Sequence, residues 1–345
     1  MKINGRNISI SDSPYIIAEM SANHNGNIDT AYKIIDMAKA CGADAVKMQT
    51  YTPDTITMDI KSPEFKIDGG LWDGRYLYDL YGEAYTPWSW HKPLFEYSKK
   101  IGITIFSSPF DNTAVDLLED LGVPAYKIAS CEAIDLHLIK YVAQTGKPMI
   151  ISTGMADVQE IQEAVEAARE GGCKELAILH CVSGYPAPAE DYNLRTLVDM
   201  RQKFGLVTGL SDHTIDNTTA IASVALGASI IEKHVTLDRN GGGPDDSFSL
   251  EAKELEELCL NSKTAWESLG KIDYGVKSSE YNNIKFRRSL YCIKDIKKGE
   301  VITKDHIKSI RPGFGLAPKF LDKVLSSRAT CDIVRGTPIV LKFIS

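Results

Sequence analysis

Val207-Thr208-Gly209-Leu210-Ser211-Asp212-His213 and Ser229-Ile230-Ile231-Glu232-Lys233-His234 are two short apolar runs, each closing on polar residues and a histidine. A helical stretch, roughly Asn217 to Leu226, lies between them. Run, helix, run is the pattern of neighbouring parallel strands. On that topology both imidazoles project from one edge of one sheet. Imidazole is the commonest side-chain ligand for a divalent transition metal, so a single ion at that edge is the first reading. The plainer one is two unrelated polar residues at strand ends, each bonded to a loop.

Working outward, the same kind of run recurs upstream. Tyr15-Ile16-Ile17-Ala18, Asp44-Ala45-Val46-Lys47-Met48, Ile103-Thr104-Ile105-Phe106 and Pro124-Ala125-Tyr126-Lys127-Ile128 are four. Pro148-Met149-Ile150-Ile151 and Leu176-Ala177-Ile178-Leu179 bring the total to eight strands with the two above. Helical patterns separate them. Asp29 to Cys41 carries Ala31, Ile34, Ile35 and Ala38 on one face; Asp157 to Glu170 opens on a capping Asp; and Asn193 is expected to cap Leu194 to Phe204. Glycines at 42, 102, 122 and 146 stand where helices should end. Eight strands alternating with helices make an α/β protein, and a closed (β/α)8 TIM barrel is the best fit. An open doubly wound sheet would want a phosphate loop after its first strand, and Asn23-His24-Asn25-Gly26 is not one.

The barrel is expected over residues 1–275, a polar linker over 276–285 and a small, mostly β module over 286–345. About 60 residues is small for an independent core, so the module should lean on the barrel or on a partner subunit. Tyr51 to Pro87 breaks the rhythm. Such a long segment, rich in aromatics, is expected to be a lid or an oligomer contact.

The formal net charge of −7 gives no sign of a nucleic-acid or anionic-membrane surface. No stretch approaches the roughly 20 apolar residues of a membrane span, and the first residues lack the apolar core of a signal peptide. The 7 cysteines are scattered, without Cys-x-x-Cys, and suggest reduced thiols in the cytoplasm.

In a barrel the active site gathers at the C-terminal strand ends. Those ends here carry Glu19, Lys47 with Gln49, Ser107-Ser108, Lys127 with Ser130 and Glu132, Ser152, Ser183 with Tyr185, Ser211 with His213, and Glu232 with His234. Two lysines among serine hydroxyls, in an acidic chain, suit a phosphate-and-carboxylate ligand. A lysine alone there would more simply pair with a barrel carboxylate. Glu19 could be a base, a metal ligand or such a partner, and so could Glu132. His180 is read as a hydrogen-bonded core histidine.

Several strings resemble the sialic acid synthase family. They are Ile16-Ile17-Ala18-Glu19-Met20-Ser21-Ala22-Asn23-His24-Asn25-Gly26, Lys47-Met48-Gln49-Thr50-Tyr51, Lys127-Ile128-Ala129-Ser130, Ser152-Thr153-Gly154-Met155, Gly209 to His213 and Ile231 to His234. The tail, with Lys294 to Glu300 and Arg311-Pro312-Gly313, is similar to that family's antifreeze-like (SAF, β-clip) module. Gly69-Gly70-Leu71-Trp72-Asp73 and Thr86-Pro87-Trp88-Ser89-Trp90-His91 resemble the pseudaminic acid branch, and Asp246 stands where the N-acetylneuraminate branch usually carries His. The legionaminic acid branch is the other near relative.

The resemblance implies a condensation of phosphoenolpyruvate with an open-chain amino sugar, and for the pseudaminic branch the sugar is 2,4-diacetamido-2,4,6-trideoxy-L-altrose. It further implies a metal on His213 and His234, Mn2+ first with Mg2+ or Co2+ as alternatives. Lys47, Lys127, Ser130, Ser152, Ser183 and Ser211 would hold phosphate and carboxylate. Gln49, Tyr185 and Asp245 would touch the sugar. Glu19 would orient or deprotonate water, with Glu132 in support. Arg311 would reach in from the SAF module of a second subunit, in a domain-swapped homodimer. The rival classes are a metal-dependent barrel hydrolase and a sugar-binding protein without catalysis.

Overall fold

A computed structural model describes all 345 residues. Eight parallel strands close on themselves: β1 (Tyr15–Glu19), β2 (Ala45–Thr50), β3 (Thr104–Pro109), β4 (Tyr126–Ile128), β5 (Met149–Ser152), β6 (Leu176–Cys181), β7 (Val207–Ser211) and β8 (Ile230–His234). Strand β8 pairs back onto β1, which completes the barrel. Each expected run therefore became a strand. Helices cover the outer face, so the strands are buried on both sides and their sequences read as continuous apolar runs rather than as alternation.

Local chemistry sets the helix ends. Asp157 accepts from the amides of Gln159 at 2.8 Å and Glu160 at 2.9 Å, while Glu160 accepts from the Asp157 amide at 2.8 Å, a reciprocal cap that starts Val158–Glu170. Gly42 ends Ile28–Cys41 in left-handed backbone at φ 90°, open to glycine at little cost. The cap expected of Asn193 is absent. That residue turns left-handed at φ 42°, donates to the Asp191 carbonyl, and leaves a helix that starts only at Thr196. Gly209 has a steric reason: a Cβ there would lie 2.4 Å from the Ile230 carbonyl oxygen and 2.7 Å from Leu179.

An N-terminal hairpin, Lys2–Ile3 with Arg6–Asn7, had no counterpart in the sequence reading. Its Ile3, with Ile8, is buried against Tyr15, Ile17 and Phe106 and closes the barrel at the end opposite the polar strand termini.

The chain divides into Met1–Gly270 and Lys271–Ser345. The division falls slightly before residue 275, and the stretch expected to be linker forms a 3-10 helix, Ser278–Phe286. In the second unit β9 (Ser289–Cys292) pairs antiparallel with β10 (Ile307–Ile310). Leu290, Ile296, Ile302, Val324, Ile333 and Ile339 give it an apolar core of its own.

Candidate active site

Barrel closure brings the polar strand ends together. In the β8–β1–β2 ladder His234 stands beside Glu19 and Glu19 beside Lys47, while Glu232 stands beside Ser211 of β7. Side chains complete the cluster. Lys47 Nζ lies 2.8 Å from Glu19 Oε2 and 3.6 Å from Glu232 Oε1, and donates to Ser108 Oγ at 3.2 Å. Lys127 Nζ lies 3.7 Å from the same Glu232 oxygen. Both lysines and both carboxylates are buried. Glu232, expected at the strand ends but given no role there, is thus the charge that both lysines share. Its signal was present: period two puts it on the same face as His234.

Burial sets the protonation tendencies, and charge modifies them. Burial raises the Glu19 carboxyl above its ordinary range despite Lys47. Burial would raise Glu232 too, but Lys127 and Lys47 together hold it below the ordinary range. So of these two carboxylates Glu232 keeps its charge more firmly, because it faces two cations. Lys127 is pulled down by burial, whereas Glu19 and Glu232 outweigh burial at Lys47 and raise it. Glu132, on the turn after β4, is pushed up by burial to about 7, and its Oε2 has no hydrogen-bond partner.

Ser130 and Ser183 converge on Gly154. A Cβ at Gly154 would stand 2.3 Å from Ser183 Oγ and 2.8 Å from Ser130 Oγ. The Gly154 amide donates to Ser130 Oγ, and the buried hydroxyls of Ser152 and Ser183 have no partner. Buried hydroxyls left unpaired are uncommon and mark a place for a ligand's oxygens.

His213 and His234 face each other with ring centroids 5.4 Å apart. Two imidazoles sharing one ion through bonds of about 2.1 Å have centroids roughly 4.5–5.5 Å apart, so the pair fits. His213 Nδ1 bonds the Val182 carbonyl at 2.8 Å, which turns Nε2 free and raises its basicity, as a ligand's outer partner should. Burial drives His234 well below its ordinary pKa, which keeps it neutral and able to coordinate. No third His, Cys, Asp or Glu completes a cluster. These two nitrogens are the donor set the chain offers. Tyr185 stacks against His213, with centroids 4.3 Å apart.

A cavity of about 550 Å³ opens over this cluster, and Gln49, Glu132, Tyr185, His234 and Asp245 line it. The long segment after β2 builds its other wall with Ile56, Ile67, Trp72, Leu80 and Tyr81. Trp72 donates to the Pro244 carbonyl at 2.9 Å and lies 5.5 Å from Tyr185 between ring centroids, which ties the segment across the mouth. Periodicity could not show this, because the wall draws on two short helices, Pro53–Ile56 and Leu77–Ala84, and the non-repetitive chain between them.

Of the expected site residues, Arg311 alone is outside the barrel; it is exposed in the second unit. His180 bonds the Tyr192 carbonyl, in keeping with its core reading. Asp246 accepts from Thr236 Oγ1, the Gly243 amide and Asn25, so the residue that departs from the N-acetylneuraminate pattern braces the 236–246 loop.

A model of the NeuB family matches residues 34–274, and one of the SAF domain matches residues 287–344. The chain is 42% identical over 330 residues to the pseudaminic acid synthase of Campylobacter jejuni subsp. jejuni serotype O:23/36 (strain 81-176), covering 96% of each. It is 42% identical to the pseudaminic acid synthase of Helicobacter pylori (strain ATCC 700392 / 26695), covering 94% of this chain and 96% of that one. The crystal structure of spore coat polysaccharide biosynthesis protein SpsE from Bacillus subtilis matches with a TM-score of 0.68 at 33% identity, covering 100% of this chain and 99% of that one.

Proposed function

The chain belongs to the NeuB family, and from that premise we propose that it is a pseudaminic acid synthase. It joins phosphoenolpyruvate, 2,4-diacetamido-2,4,6-trideoxy-L-altrose and water into a nine-carbon acid and inorganic phosphate. The observation that carries this is two buried lysines and the unpartnered hydroxyls of Ser152 and Ser183 gathered at the C-terminal strand ends of one barrel.

Phosphoenolpyruvate brings two anionic groups. Lys47, Lys127, Ser130, Ser152, Ser183 and Ser211 hold its phosphate and carboxylate, with Glu232 fixing both ammonium groups before the ligand arrives. Carbon 3 of the enolpyruvate attacks the sugar aldehyde, and the new carbon–carbon bond leaves a cation at carbon 2. Glu19, buried beside Lys47, sets its carboxylate against that cation and takes a proton from the water that adds there. Collapse of the tetrahedral adduct breaks the bond between carbon 2 and the phosphate oxygen. Glu132 holds a proton near neutral pH and serves the leaving phosphate. Gln49, Tyr185 and Asp245 orient the sugar under the wall of the Tyr51 to Pro87 segment. A divalent ion on His213 and His234, Mn2+ with Mg2+ or Co2+ as alternatives, would polarise the aldehyde oxygen.

Arg311 is proposed to serve the barrel of a second subunit in a domain-swapped dimer. Free thiols at all positions from Cys41 to Cys331 accord with work in the cytoplasm.

The test is phosphate release with the product's mass determined. Phosphate should appear only when phosphoenolpyruvate and the trideoxy sugar are both present. Release from phosphoenolpyruvate alone would mean hydrolysis. Faster turnover of the legionaminic precursor or of N-acetylmannosamine would move the enzyme to those branches.

A further inference from the structure

Ser21 follows β1 in left-handed backbone, at φ 46°, although it carries a Cβ. Residues other than glycine, Asn and Asp visit that region uncommonly, and an outlier of this kind persists where its surroundings fix it. The surroundings are site residues. Ser21 is 3% exposed; its hydroxyl donates to Asp245 Oδ2 at 2.5 Å and accepts from Gln49 Nε2 at 3.0 Å. Gln49 Nε2 also donates to Glu19 Oε1, at 2.9 Å. An amide nitrogen has two N–H groups, and here both are committed. What Gln49 has left for the cavity it lines is its carbonyl oxygen.

We infer that Ser21 is a positioning residue that fixes the polarity of the sugar subsite. By joining Gln49 to Asp245 it presents the Gln49 oxygen as an acceptor. The subsite then takes sugars that offer a donor at that corner, an amide N–H or a hydroxyl. Glycine would relax the backbone but remove the hydroxyl, leaving the Gln49 amide tethered by Glu19 alone and Asp245 without its side-chain donor. The inference rests on the synthase reading and adds to it a residue and a substrate requirement.

Two variants test it, each compared with wild type in KM for either substrate, kcat and thermal midpoint. Ser21→Gly removes the hydroxyl and suits the left-handed backbone, and Ser21→Ala removes the hydroxyl and keeps the Cβ. Loss of a hydrogen bond to a charged group should raise KM for the amino sugar about tenfold in both. KM for phosphoenolpyruvate and kcat should stay within about twofold, and the midpoint of Ser21→Gly should not fall. A Ser21→Gly enzyme with wild-type KM for the sugar overturns the inference, as does a parallel rise in both KM values. Failure of the wild type to release phosphate with any of the sugars would instead overturn the synthase reading.

Discussion

Glu232 Oε1 lies 3.7 Å from Lys127 Nζ, and no other carboxylate is within ion-pair distance of that buried ammonium. The same oxygen lies 3.6 Å from Lys47, which has Glu19 as a second partner. The two cations therefore depend unequally on Glu232. Replacing it by Gln keeps the shape and leaves Lys127 buried without a counter-charge. Glu232→Gln should cost roughly 3 kcal/mol in denaturant unfolding at pH 7. Phosphoenolpyruvate should raise the variant's melting midpoint more than the wild type's, because its anions replace the lost carboxylate. A loss below about 1 kcal/mol would show that Lys127 is neutralised in some other way.

Glu132 gives a pH signature. Its carboxyl is raised from 4.5 to about 7, chiefly by burial. The folded state thus binds this proton more tightly than the unfolded state. Its contribution is present below pH 4.5 and is lost as pH rises through 7, amounting to at most about 3 kcal/mol. Glu132→Gln should remove that loss and leave the variant more stable than wild type at pH 8. The limb of the kcat profile near pH 7 should vanish with it. A limb that persists in the variant would assign the titration elsewhere.

The barrel was legible because its strands are buried on both faces: runs such as Met149-Ile150-Ile151 or Ile230-Ile231 admit no other economical reading. The rim was legible as a set of polar residues at strand ends. What stayed hidden depends on distances across the barrel. Glu232 stood in that set, yet its bond to lysines from β2 and β4 exists only once the sheet closes. Ser21 sits in a turn whose backbone sign no periodicity announces. The wall formed by Ile56, Trp72 and Tyr81 comes from two short helices and the loop between them, too separate in sequence to make one periodic pattern, so the sequence left a lid and an oligomer contact equally open. Asn193 misled because Asn caps helices and also turns left-handed, and here the turn prevailed.

The histidine pair predicts a metal-loading result that does not depend on turnover. Equilibrium dialysis against Mn2+ should give one ion per wild-type chain and none for His213→Ala or His234→Ala at the same free concentration. Chelation of the wild type should abolish phosphate release, and Mn2+ should restore it. With only two protein nitrogens available, affinity should be modest and should weaken as pH falls and His213 takes a proton, since burial there is outweighed by its contacts with Cys181 and the Val182 carbonyl, which hold it above the ordinary imidazole range. Stoichiometric binding by the His234→Ala chain would place the ion elsewhere.

Arg311 offers a test of the proposed swapped dimer. Each site of a swapped dimer would combine one chain's barrel with the other chain's Arg311. Lys127→Met kills a barrel, and Arg311→Ala kills what its chain lends. In a heterodimer of the two variants, the Arg311→Ala barrel receives an intact Arg311 from its partner, so one of the two sites is whole. Random reassociation of equal amounts should recover about a quarter of wild-type activity from two inactive parents. If Arg311 acted on its own barrel, every site in the mixture would carry one lesion and activity would stay at the level of the parents. The recovered fraction should fall as subunit exchange is blocked by cross-linking before mixing, which separates complementation from residual activity of either variant.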